Sequence, residues 1–132
     1  MTGKTGHSMI DEYRREWAHR YLREAKAELE AAQKIPYMAP SFFVEAIRKA
    51  RNAIYYSLGE PAFIEMLVRE ELGKSKPAND AILRFLIDME KTVQQLSQLE
   101  EVNGEAVMKQ ADTIVQVASE FVQTLIEEKS EN

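Results

Sequence analysis

The sequence predicts an all-α protein, an up-and-down helical bundle of four long helices plus one short helix. Apolar residues recur every three or four positions along nearly the whole chain, and the strict alternation typical of a half-buried strand is missing. Glycine and proline separate these periodic segments. The 132 residues, 45% of them hydrophobic, are enough to bury one core and form one domain.

The first helix is predicted to begin near Ser8, a favourable N-cap residue, and to run to about Gln33. Residues 1–9 are expected to form a disordered N-terminal tail, because they contain two glycines and several polar side chains. Residues 10–129 are then a single helical-bundle domain. The stripe that this helix is expected to bury consists of Ile10, Tyr13, Trp17, Tyr21, Ala25 and Leu29.

Prolines at positions 36 and 40 end the first helix, and the second is predicted to begin near Ser41. Gly59 is placed to terminate it, and Pro61 suits the first turn of a short third helix. That third helix carries Phe63, Met66 and Leu67 and stops at Gly73.

Helix two is apolar over more of its circumference than one buried stripe requires. We therefore expect it to lie at the centre of the bundle and also to line the interface of a homodimer. The residues predicted for that interface are Tyr37, Phe42, Tyr55 and Tyr56.

Two heptad-like seams follow, separated by Asn103 and Gly104. Such seams on either side of a turn predict an antiparallel helical hairpin with a shallow crossing angle, whose facing side chains share one core. The first seam is Ile82, Leu86, Met89, Val93 and Leu96, flanked by Leu83 and Ile87, and the second is Val107, Ala111, Ile114, Ala118, Phe121 and Leu125.

Composition narrows the classes of function. The chain has no cysteine, which excludes disulfides, thiolate catalysis and thiolate metal sites. It has no apolar run long enough to span a bilayer and no signal peptide, so a cytoplasmic location is expected. The net charge of −5 is unevenly distributed: residues 1–58 carry ten Lys/Arg against seven Asp/Glu, and residues 59–132 carry seven against fifteen.

The spacing of Glu16 and His19 matches the Glu-x-x-His pairs of di-iron helical bundles. Such a site needs two of these pairs and two further carboxylates, whereas the only other histidine, His7, has no matching glutamate. A solvated helix face is the better interpretation, and the sequence predicts no metal and no cofactor.

The basic residues of the first two helices are the one candidate surface for phosphate groups. Charge matching within the bundle is the favoured interpretation of the excess of positive charge in this half of the chain, and the excess also permits nucleotide or RNA binding there. The candidate residues are Arg14, Arg48, Lys49, Arg51 and Asn52.

The segments 21–29 (YLREAKAEL) and 41–54 (SFFVEAIRKARNAI) resemble the opening of HEPN superfamily domains, in which a long helix, a short loop and an alanine-spaced second helix follow one another. The resemblance covers about half of the chain. It implies a helical bundle, a homodimer and a nucleotidyltransferase as partner protein.

In the ribonucleases of that superfamily, an arginine precedes a histidine by four to six positions. Arg51 and Asn52 match the start of the motif, but Ser57 stands where the histidine is expected. Without an imidazole, the motif has no group suited to proton transfer near neutral pH, so we expect no ribonuclease activity. The sequence thus favours a non-catalytic, homodimeric helical interaction module, with nucleotide or RNA binding as the alternative and a di-iron bundle as a remote third.

Overall fold

The structure is a computed structural model that describes the backbone of residues 2–74, 79–98 and 104–131, and the side chains of residues 12–74, 79–95 and 105–126. Over these residues the protein is an all-α helical bundle, as predicted. A 3-10 turn, Pro36–Met38, connects the first two helices. The α-helices are α1 (Thr2–Lys34), α2 (Ala39–Leu58), α3 (Pro61–Leu72), α4 (Ala81–Gln98) and α5 (Gly104–Glu131).

The first helix is longer than the sequence predicts. It includes residues 2–9, which were expected to form a disordered tail, and so it begins before the predicted cap at Ser8. No proline precedes Pro36, so nothing in this stretch blocks the i to i−4 hydrogen bonds of a helix. At the other end, the restriction that Pro36 places on Ile35 accounts for the end of α1 at Lys34.

The second helix lies at the centre of the bundle, as expected. It packs against each of the other four α-helices, and side chains around much of its circumference are buried. Gly59 follows its last residue, and α3 begins at Pro61, both as the sequence predicts. The buried residues of α2 are Phe43, Val44, Ala46, Ile47, Ala50, Ala53, Ile54, Tyr55 and Ser57.

Helices α1 and α2 pack closely and run antiparallel. Lys49 contacts Glu28, while Tyr56, farther along α2, contacts Tyr21 on an earlier turn of α1. In the predicted stripe of α1, the rings of Tyr13, Trp17 and Tyr21 stay partly exposed, and the side chain of Ile10 lies outside the described residues. Ala25 and Leu29 are buried as predicted, and the small residues of this helix let the two backbones approach. The ridge buried by α1 is Ala18, Leu22, Ala25, Leu29 and Ala32.

The prediction that the seams of α4 and α5 share one core is confirmed for six of their residues, which are buried together: Leu86, Met89, Val93, Val107, Ala111 and Ala118. The described parts of these two helices make few close backbone contacts with each other, and both pack on α2. Leu86, Met89 and Val93 are buried as predicted, whereas the side chain of Leu96 lies outside the described residues. On α5, Val115 and Val122 are buried in place of Ile114 and Phe121, which are half-buried at the edge of the core.

Helix α3 is the least buried of the described α-helices. Val68 is its one fully buried residue, and Ile64 and Leu72 pack beside it against the core. Phe63 and Met66, in contrast, are exposed. The next helix, α4, begins after Asp80, whose carboxylate accepts a hydrogen bond from the Leu83 backbone N–H at 3.0 Å and so caps it.

Candidate functional site

The basic residues predicted to bind phosphate are placed along α1 and α2, and those on α2 bind carboxylates of the same chain. Arg48 is exposed and its guanidinium lies 3.0 Å from a carboxylate oxygen of Glu45, one turn earlier. The Lys49 ammonium donates to Glu28 at 2.7 Å and lies 3.5 Å from Glu24. The hydrogen bond to Glu28 raises the pKa of Lys49, against a smaller opposing effect of burial. Lys49 therefore connects α2 to α1.

Arg51 lies on the opposite side of α2 and connects it to α4. Its guanidinium forms an ion pair with Glu90, in which the two side chains are only 18% and 17% exposed. The same guanidinium lies 5.6 Å from the centre of the Tyr55 ring and donates to the Asn52 side-chain oxygen at 3.3 Å. Arg51 and Asn52 thus belong to a structural contact between α2 and α4.

Tyr55 completes this contact. Its hydroxyl donates to the Glu90 carboxylate at 3.4 Å, and its ring is buried. Burial is the main cause that raises the pKa of Tyr55, and the neighbouring Glu90 carboxylate raises it further. At neutral pH the hydroxyl is protonated, as that of a tyrosine ordinarily is, and it can donate its proton to Glu90.

Ser57 takes the position where the ribonuclease motif has its histidine. The side chain is buried, and its hydroxyl donates to the Ala53 carbonyl oxygen at 2.8 Å, one turn earlier in α2. A serine bound in this way to its own helix is a packing residue, because its proton is directed at the backbone.

Arg14 lies near the other end of α2. It is half-buried, and its guanidinium comes within 3.8 Å of the point where a Cβ on Gly59 would stand. Gly59 caps the C-terminus of α2, where the helix dipole favours positive charge. The positive charge of Arg14 is therefore well placed to stabilise the C-terminal end of α2. Arg14 is separated along the helix from Arg48, which lies near the middle of α2.

The four residues predicted for the dimer interface do not form one surface. Tyr37 and Phe42 lie at the N-terminal end of α2, while Tyr55 and Tyr56 lie in its last two turns, and the 20-residue helix is about 30 Å long. Tyr37 is 85% exposed, but Tyr55 is buried inside the subunit and cannot contact a second copy. Of the two tyrosines at this end, Tyr56 alone reaches the surface.

Tyr56 joins three rings of α1 in a cluster, the aromatic cluster, formed by Tyr13, Trp17, Tyr21 and Tyr56. The rings of Trp17 and Tyr56 are nearly parallel, and their centres are 6.0 Å apart. The centre of the Tyr21 ring lies 5.7 Å from the centre of each of these rings. Tyr13 meets Trp17 edge-on at 6.4 Å and is 60% exposed. Burial raises the pKa of Tyr56, so its hydroxyl is neutral at physiological pH.

A cation lies against this cluster. The guanidinium carbon of Arg20 lies 4.8 Å from the centre of the Trp17 ring, a cation–π contact, and Arg20 also pairs with Glu24 at 3.1 Å. The cluster is therefore a semi-exposed surface of tryptophan, tyrosine and arginine. The sequence analysis missed it because rings spaced every four residues in α1 were assigned to the core; their polar edges were the available signal of a half-exposed position.

Glu16 and His19, which have the spacing of a di-iron pair, lie on the surface of α1. Glu16 is exposed and His19 half-buried, and both line a shallow depression on α1 together with Trp17, Arg20 and Arg23. Over the described residues, no group of three or more His, Asp and Glu side chains is arranged to hold a metal ion. Nor is any helix in those ranges both long and apolar enough to cross a membrane.

Comparison with known proteins gives no relative: no family model, no curated protein and no solved structure matches the chain. Its function is therefore inferred from the arrangement of its own residues.

Proposed function

We propose that the protein is a non-catalytic helical interaction module that works as a homodimer, and that the aromatic cluster contributes the centre of the dimer interface. The observation that carries this proposal is the continuous surface of four aromatic rings with Arg20 against Trp17. Tryptophan, tyrosine and arginine are the residues most enriched among those that dominate binding energy at protein interfaces.

A twofold dimer uses the same patch on both subunits, so one surface of this kind is sufficient. The rings also combine apolar area with hydroxyl and indole groups that tolerate water, which suits a surface that is exposed before assembly. The resemblance of the first two helices to HEPN domains supports the same assembly. It also supports a nucleotidyltransferase as a further partner, and the lack of cysteine agrees with a module of the cytoplasm.

Binding of nucleotide or RNA at the predicted basic surface is the weaker alternative. The side chains of Arg48, Lys49 and Arg51 each bind a carboxylate of the same chain, and a phosphate group would have to compete with it. Arg51 also lies on a different side of α2 from Lys49. Binding of a short RNA that weakens with salt and is lost in Arg48→Ala would favour this alternative.

The dimer is tested by light scattering coupled to size-exclusion chromatography over a wide range of protein concentration. We expect wild type to have the mass of two chains. Tyr13→Glu, which places a charge at the most exposed ring of the cluster, should weaken the dimer at least about tenfold. Circular dichroism and thermal unfolding should show that the folded subunit is kept, since surface substitutions change stability by about 0.5 kcal/mol or less.

Tyr37→Glu is the matched control, because Tyr37 is another exposed tyrosine and lies at the opposite end of α2. It should leave the dimer unchanged. A dimer that Tyr37→Glu dissociates and Tyr13→Glu preserves would place the interface at the other end of α2. A wild type that stays monomeric at high concentration would refute the dimer altogether.

A further inference from the structure

Helix α3 has two apolar faces, and the bundle uses only one of them. Ile64, Val68 and Leu72, spaced by four residues, pack against the core. A second set of apolar side chains points outward. It consists of Phe63, Met66 and Leu67, which are 54%, 48% and 36% exposed. Their spacing of i, i+3 and i+4 places them on one side of the helix.

This outward set, the α3 strip, consists of Phe63, Met66 and Leu67. Single exposed apolar residues are ordinary on protein surfaces and require no explanation. Three large side chains side by side on a 12-residue helix form a continuous patch, and such patches mark interaction sites. Apolar residues at i, i+3 and i+4 are also the anchors by which an amphipathic helix packs its apolar face against an apolar surface of a partner.

The charges around the strip select its partner. The segment Glu60–Leu72 contains four glutamates and one arginine, and that arginine, Arg69, is paired with Glu65 at 2.9 Å. Glu60 and Glu70 are exposed near the two ends of the strip. A second copy of the chain would bring the same acidic residues against each other, and like charges in contact oppose association. A partner with basic residues beside its apolar anchors would instead be attracted.

We propose that the α3 strip, with Glu60 and Glu70 at its ends, docks a basic amphipathic helix of another protein. The inference goes beyond the homodimer proposed above, since it concerns a different surface and a different partner. The aromatic cluster would join two copies of the chain, and the α3 strip of each copy would stay available for its partner helix.

The probe is a fluorescently labelled helical peptide of about five turns, with leucines at i, i+3, i+4 and i+7 and lysines at the remaining positions. Binding to the full-length protein is followed by fluorescence anisotropy. A twin peptide with glutamates in place of the lysines keeps the apolar face and reverses the charge. We expect the basic peptide to bind at least about tenfold more tightly than its twin, with an affinity that falls as salt is added.

The double variant Phe63→Ser, Leu67→Ser should weaken binding of the basic peptide at least about tenfold by removing the anchors. Glu60→Gln, Glu70→Gln should weaken it less and flatten its dependence on salt. Tyr37→Ser is the matched control, because it removes an exposed ring elsewhere and should leave binding unchanged. Circular dichroism confirms that each variant keeps its helical content.

Several outcomes would overturn the proposal: no binding of the basic peptide, equal binding of its acidic twin, or an unchanged affinity in Phe63→Ser, Leu67→Ser. Strip-dependent binding to neutral phosphatidylcholine vesicles without peptide binding would assign the strip to a membrane surface instead. A dimer that this double variant dissociates would make a second copy the occupant. The two proposals fail separately, because Tyr13→Glu should lose the dimer and keep the peptide.

Discussion

The two sides of α2 differ in the size of the side chains that they bury. The side that faces α1, here called the small side, carries the small residues Ala46 and Ala53. At the edges of this side, Lys49 and Tyr56 contact α1. The opposite side, here called the large side, carries large buried side chains such as Ile47. It also carries Arg51, whose ion pair with Glu90 connects α2 to α4. One helix thus serves two neighbours by different means.

The difference explains why the backbones of α1 and α2 lie close together while those of α4 and α5 make few close contacts with each other. The antiparallel register of α1 and α2 brings Ala53 level with Ala25, and two alanines allow close approach of the backbones. On the other side, α4 and α5 each pack on α2, where the buried side chains are large. A groove of about 420 Å³ separates the two helices and is bordered by Met89 and Ile114.

Breaking the ion pair between Arg51 and Glu90, on the large side of α2, should lower the free energy of unfolding more than the other single substitutions proposed below. Arg51→Met keeps much of the stem but leaves the Glu90 carboxylate without its guanidinium, and removing one partner of a buried pair costs about 3–5 kcal/mol. Because both side chains are about one-sixth exposed, we expect the lower end, about 3 kcal/mol, in urea unfolding at fixed protein concentration.

The double variant Arg51→Met, Glu90→Met is the control for this prediction. It removes both charges together, so it should be more stable than Arg51→Met alone. Two single losses that simply add in the double variant would mean that the pair does not couple α2 to α4.

The small side is tested by enlarging one alanine. Ala53→Leu should force α1 and α2 apart and lower the free energy of unfolding by about 2–3 kcal/mol, because overpacking displaces a close-packed backbone. Ala27→Leu is the matched control on the exposed side of α1 and should change stability by about 0.5 kcal/mol or less. Equal stability of the two variants would mean that this helix pair does not depend on small residues.

The sequence was sufficient to predict the fold class, the central position of α2 and the ends of α2 and α3. These features depend on local signals, namely the spacing of apolar residues and the positions of proline and glycine. The sequence was insufficient for the packing partners of α4 and α5. A heptad-like seam shows that a helix buries one side but not which helix covers it, and in the structure both α4 and α5 pack on α2. The partners of the predicted site residues could not be read from the sequence for a related reason: the carboxylates that bind Lys49 and Arg51 are 21 and 39 positions away.

A third prediction sharpens the register of α5. The sequence placed Phe121 in the seam, whereas the structure buries Val122 completely and leaves Phe121 half-buried. Val122→Ala should lower the free energy of unfolding by about 2 kcal/mol. This is a large loss for two carbon atoms, because the cavity that they leave adds to the lost free energy of burying them. Phe121→Ala should remain below the 3–5 kcal/mol typical of a buried ring. Urea unfolding of both variants decides between the two registers, and a loss of about 4 kcal/mol in Phe121→Ala would restore the predicted one.

The smallest effect concerns Tyr55, whose hydroxyl extends the ion pair of the large side. Tyr55→Phe should cost about 1 kcal/mol near pH 8, the usual contribution of one hydrogen bond. Its dependence on pH is more informative. Because burial and then Glu90 raise the pKa of Tyr55 above its ordinary value of 10.0, the folded protein retains this proton after the unfolded chain has lost it. The contribution of Tyr55 is therefore complete below about pH 10 and is lost as the pH rises toward the folded pKa.

The measurement compares the free energy of unfolding of wild type and Tyr55→Phe at pH 8 and at about pH 11. The pKa of Lys49 is also raised, by its hydrogen bond to Glu28, so stability should fall with alkaline pH in both proteins. That shared fall cancels in the difference between them. The gap of about 1 kcal/mol should shrink or reverse at the higher pH, since only wild type has a buried hydroxyl whose ionisation opposes folding. A gap that stays constant would mean that Tyr55 titrates alike in both states and that its hydroxyl is not held inside the contact between α2 and α4.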